Sequence, residues 1–69
     1  MDVDMASRIL KAVAAVEAKI GDLDVLVSQL DDEKERDEYV SALGDVIGNI
    51  SENFVRRIAR QFPELDPDR

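Results

Sequence analysis

Residues 31–38 read Asp31-Asp32-Glu33-Lys34-Glu35-Arg36-Asp37-Glu38, and no apolar residue occurs between Leu30 and Tyr39. This stretch decides whether the chain is one helix or two. On its N-terminal side, apolar residues fall at Ile9, Val13, Val16, Ile20, Leu23, Val27 and Leu30, in alternating steps of four and three. That spacing is a heptad seam, which keeps one helical face apolar. Carried past Leu30, the same phase would put Lys34, Asp37 and Ser41 on the apolar face. The apolar set instead restarts at Val40. The alternative is one unbroken helix, since the segment contains neither Gly nor Pro. The phase slip favours a tight turn at about 30–32, with Asp31 or Asp32 capping a second helix. Asp32 and Glu35 stand at capping-box spacing. The acids that follow suit the first turns of a helix, where the macrodipole is positive.

Toward the N-terminus, the pattern predicts a first helix over about 4–30 with Asp4 as its N-cap. Leu10 and Leu26 flank the seam and widen it. Gly21 costs about 1 kcal/mol in a helix interior, yet the seam crosses it in phase and Gly21 lies off the seam. The first helix is therefore expected to run through it. Toward the C-terminus, Val40, Leu43, Ile47, Ile50, Phe54, Ile58 and Phe62 predict a second helix over about 32–62. Arg56, Arg57 and Arg60 suit its last turns. Glu52 precedes Arg56 at i,i+4 spacing, so the basic cluster reads first as dipole compensation with a surface pair. Pro63 ends the helix, because the residue before a proline is driven out of the α region. The tail 63–69 is expected to be extended, with Leu65 turning back on Phe62.

Two helices of matched length joined by a short connection pack antiparallel. The expected fold is all-α: one domain, 1–69, forming an antiparallel two-helix hairpin. A chain of 69 residues buries only roughly 60% of its unfolded surface, so a lone hairpin is marginal. Small scaffolds commonly add disulfides, a metal or a partner subunit. With no Cys and no His, disulfides and the usual zinc ligands are ruled out. A wide apolar face then calls for a second hairpin, and a homodimeric four-helix bundle is expected. Acids crowd the turn, whereas Arg8, Lys11, Arg56, Arg57 and Arg60 lie toward the open end. That asymmetry predicts an antiparallel arrangement of the two hairpins.

Several chemistries are poorly supported. Ser7, Ser28, Ser41 and Ser51 have no His to act as base, and there is no Cys nucleophile. Gly44-Asp45-Val46-Ile47-Gly48 lies inside a helical pattern and lacks the Lys of a phosphate loop. A di-iron bundle site needs Glu-x-x-His pairs. Glu35 and Glu38, one turn apart, are the best carboxylate pair for a weak Mg²⁺ or Ca²⁺ site, but a solvated helix start explains them more simply. No enzyme, catalytic residue, cofactor or metal is expected. Sixteen acids against nine bases give a net charge of -7, which opposes nucleic-acid binding. No apolar run approaches the ~18 residues of a membrane span. The acidic start Met1-Asp2-Val3-Asp4 lacks the basic region of a signal peptide, so a cytoplasmic location is expected.

One further pattern stands out. Ser41, Gly44, Gly48 and Ser51 recur at helical spacing in the second helix, as Ala14, Ala18 and Gly21 do in the first. Small side chains let helix axes approach closely. These residues are the candidate partner or dimer interface; tolerated exposed glycine is the plainer explanation. The expected function is a non-enzymatic protein–protein interaction module, an adaptor, regulator or chaperone-like binder, with an unidentified protein partner. The alternative is an acidic inhibitor or immunity-type protein whose 31–38 turn caps a basic site.

Overall fold

A five-residue connection, 28–32, separates two long helices in the computed structural model, which describes residues 1–66. Helix α1 spans Val3–Val27. The second helix begins as α2, Glu33–Ile50, passes through a π-helical stretch, Ser51–Arg56, and finishes as α3, Arg57–Gln61. A 3₁₀ turn, Pro63–Leu65, follows. α1 packs against α2 and the π stretch, giving a helical hairpin of 46 × 20 × 16 Å. The single unbroken helix is thereby excluded. α1 runs through Gly21 without a break.

The N-cap is Asp2, not Asp4. Asp2 sits in extended backbone, and its Oδ1 accepts the N–H of Met5 at 2.8 Å. Its carbonyl accepts the first intrahelical bond, from Ala6 N–H at 3.0 Å. Capping at Asp2 starts the helix at Val3, two residues earlier than a cap at Asp4 would, and makes Ala6, with none of its surface exposed, the first intrahelical donor. Asp4 falls in the first turn, where it meets only the helix dipole. Asp2→Ala is expected to cost about 1 kcal/mol in urea unfolding and Asp4→Ala no more than about 0.5 kcal/mol. The reverse order would restore Asp4 as the cap.

The α-helix ends at Val27, short of the expected 30, because its last turn tightens. Gln29 N–H bonds Leu26 O and Leu30 N–H bonds Val27 O, each at 3.1 Å. The Ser28 hydroxyl donates to Asp24 O at 2.8 Å. Such i→i+3 bonds satisfy carbonyls that would otherwise be orphaned at a helix end. Leu30 still reaches the seam and is half-buried. Asp32 caps α2, but its side chain accepts from Lys34 N–H at 3.1 Å rather than from Glu35, so no reciprocal capping box forms. Arg36 adds a latch. Its Nη1 donates to Leu30 O at 3.0 Å, joining the start of α2 to the end of α1. Arg36 stands one heptad before Leu43, so its half-buried stem continues the apolar row while its charge meets a helix C-terminus.

The core is small. Ala6, Val13 and Val27 of α1, Leu43 of α2 and Ile58 of α3 are its buried residues. The π stretch explains how Ile58 joins them. From Ile50 onward the apolar residues come in steps of four: Phe54, Ile58, Phe62. In a straight α-helix each such step rotates the row by about 40°, so the row leaves the groove within two or three steps. A π turn takes up extra residues and rotates the row back. Phe54 then lies over the groove, and Ile58 is only 3% exposed.

Pro63 stops the helix as expected, but the next residues are not extended. Leu65 N–H bonds Phe62 O at 2.9 Å and Asp66 N–H bonds Pro63 O at 3.1 Å. The turn carries Leu65 over Leu10, Ala14 and Val55. The remainder of the expected extended tail, 67–69, lies outside the described residues.

Candidate interaction surface

The hairpin has two broad faces, one on each side of its seam. On the first, Ile9, Ala12 and Val16 of α1 meet Ile50 and Phe54 across a groove with wholly apolar lining. Nearer the turn, Leu23, Leu26 and Leu30 meet Tyr39, with Glu35 at the rim. Heptad spacing puts Ile9, Val16, Leu23 and Leu30 in one row, so the two grooves belong to one face. Met5 and Val46 extend it by helical phase. Val16 is 50% exposed, Leu23 48% and Leu26 63%. Lys19 interrupts the face, with Asp22 beside it at 3.9 Å.

The second face is mixed. Leu10, Ala14 and Glu17 meet Ile47, Ser51 and Val55, and Leu65 closes over them. Toward the turn, helical phase gives this face Gly21, Asp24 and Ser28 from α1 against Val40 and Gly44 from α2. One helix supplies polar or small residues where the other supplies apolar ones.

The small-residue stripe is divided among different surroundings. Ala14 and Ser51 share the second-face groove. Ser41 borders a shallow cleft at the turn with Asp32, Glu33, Lys34, Asp37 and Glu38. Ala18 is exposed. A methyl group built on Gly21, Gly44 or Gly48 meets nothing within 4 Å. The hairpin therefore brings Ala14 and Ser51 together and leaves the glycines facing open space, with no helix of the same chain against them.

Charge is asymmetric, though less simply than the sequence suggests. Glu52 accepts both Arg56, at 2.9 Å, and Arg60, at 3.7 Å. This is the surface pair expected from the spacing, with a second arginine added. Residues 19–41, the turn half, hold eight acids and three bases; the rest of the chain holds eight acids and six bases. The open end is thus close to neutral rather than basic, and the turn carries most of the net charge. Glu35 and Glu38 are exposed, and among the described residues no three acids gather as they would around a metal ion. No helix among the described residues is long and apolar enough to cross a membrane.

Sequence reasoning missed two features of this surface. The sidedness of the apolar face was readable from Met5, Ala12 and Leu26, which flank the seam on one edge only. The uninterrupted steps of four after Ile50 signalled the π stretch that places Phe54 on that face. Compared with family models, with curated proteins and with solved structures, the chain matches none.

Proposed function

We propose that this chain is a small non-enzymatic protein–protein interaction module that works as a homodimer, an adaptor, regulator or chaperone-like binder. The observation that carries this reading is the amount of surface left uncovered. The chain exposes 5351 Å², whereas a compact monomer of 7.7 kDa exposes about 4,300 Å². The first face leaves Val16, Leu23, Leu26 and Phe54 about half exposed or more, and exposed apolar patches of that kind mark association surfaces. A net charge of -7 favours a protein partner over nucleic acid. A cytoplasmic location goes with this reading. The small-residue stripe of Gly44, Gly48, Ser41, Ser51, Ala14 and Ala18 is surface available to a further partner protein.

Sedimentation analysis is expected to give a dimer, and thermal melting is expected to rise with protein concentration, as mass action requires when folding is coupled to association. A fully helical monomer at about 100 μM would refute the dimer. A second reading, an acidic inhibitor or immunity-type protein, is favoured by one observation. Asp31, Asp32, Glu33, Glu35, Asp37 and Glu38 are all exposed, and none is in an ion pair among the described residues. Salt separates the two readings. A partner released at ~0.5 M salt indicates capping by the acidic turn, because screening then acts within a few Å. A partner that stays bound indicates helix-face recognition.

A further inference from the structure

We infer that a second copy of this chain covers the first face, the one bearing Ile9, Val16, Leu23, Leu26, Tyr39 and Phe54, with the turn of each hairpin beside the open end of the other. This rests on the homodimer proposed above and specifies its face and its orientation.

Area identifies the occupant. One 46 × 20 Å side of the hairpin matches the roughly 800 Å² that each partner contributes to a standard interface. The surplus of surface over a compact monomer, about 1,000 Å², is of the same size. A copy of the chain matches this face in length, so its apolar row can lie along the whole of it.

The choice of face follows from its composition. The first face is apolar along its length apart from one carboxylate, Glu35 at the rim of its turn-end groove, and Lys19, whose ammonium lies 3.9 Å from Asp22. Covering the second face would bury Glu17, Asp24 and the Leu65 turn. Burying carboxylates without a partner is costly, and two copies would bring four to the same interface. The glycines then lie away from the dimer seam.

The orientation follows from charge. With hairpins side by side in the same direction, two turn halves would lie together, each with eight acids against three bases. Reversing one copy sets each turn beside a nearly neutral end. Individual surface contacts are weak, but several like charges held together select between orientations with similar cores.

The test begins with wild-type sedimentation, because a monomer there refutes the proposed function together with this inference. Two double variants are then compared, V16E/L26E on the first face and V40E/I47E on the second. All four positions are exposed in the single hairpin, so the hairpin itself tolerates them. V16E/L26E is expected to weaken the dimer about 100-fold or more, the scale of losing anchors at an interface centre, while V40E/I47E remains dimeric. The reverse pattern, or equal loss in both, overturns the choice of face and leaves dimerisation standing.

Spin labels supply a check that does not depend on destabilised variants, since the chain has no native Cys. Labels at K19C, near mid-length on the first face, are expected within about 20 Å of each other, because packed helix layers lie 8–10 Å apart. Labels at K34C, at the turn, are expected to be separated by most of the 46 Å length of the hairpin. A K34C separation as short as that at K19C overturns the orientation, and a long K19C separation overturns the face.

Discussion

Ile58→Asp is expected to abolish the helical signal at every protein concentration tested. Ile58 is 3% exposed, and it is the only buried residue that α3 contributes. An ionised carboxylate in that position has lost its water and gained no partner, which costs several kcal/mol even after local relaxation. A core of this size rarely supplies more than about 3–5 kcal/mol, so the loss exceeds what the fold can absorb. Ile58→Val, which removes one methylene, is expected to cost only about 0.5–1.5 kcal/mol. Far-UV circular dichroism and urea titration of the pair give the answer. The experiment also tests the π stretch. In a straight helix the row of Ile50, Phe54 and Ile58 drifts out of the groove, and an Asp at 58 would reach water. Full helicity in Ile58→Asp, with melting close to that of wild type, would show that the buried placement is wrong.

The double variant Gly44→Ala/Gly48→Ala is expected to melt roughly 8–16 °C higher than wild type. Both glycines are mid-helix with ordinary helical backbone, and an added methyl meets nothing within 4 Å. Each alanine therefore gains the helix propensity that glycine lacks, about 1 kcal/mol, largely by restricting the unfolded chain. For a chain of this size, 1 kcal/mol moves the midpoint by about 4–8 °C. A fall in melting temperature would mean that a helix of another subunit lies against these positions. Gly48→Leu separates folding from recognition at the same site. It is expected to fold and dimerise, and if the small-residue stripe receives a partner, to lose that partner by filling the space the partner needs.

The helical hairpin was legible because its two strongest signals agree. The heptad row from Ile9 to Leu30 and its failure at Lys34 together require a turn, and Asp32 caps the helix that follows. The helix ends were less legible. Asp2 and Asp4 have the same capping chemistry, and it is the extended backbone at Asp2 and its bond from Met5 N–H that distinguish them. Arg36 was read as part of a solvated acidic run, yet its phase with Leu43 and Ile50 places it on the seam, where a long side chain can lie along apolar surface and still bond a carbonyl. The small-residue stripe was legible as spacing but not as contact, since periodicity identifies a common side of a helix without saying what stands opposite.

The π stretch makes the second helix tolerant of losing one residue and intolerant of gaining one. Loss of one residue from 51–56 would bring the local winding nearer to that of an ordinary α-helix, which is the less strained hydrogen-bonding pattern. Everything downstream would then keep its bearing on the groove, because the π turn had taken up that residue without adding rotation. Ile58 would stay in the core, now seven residues from Ile50 and in heptad phase with it, and Phe62 and the Leu65 turn would stay beside α1. A further insertion has the opposite effect: unless a second bulge absorbs it, it turns the whole open end by about 100°. Related chains are therefore expected to include some with one residue fewer between Ile50 and Ile58 and an ordinary α-helix there.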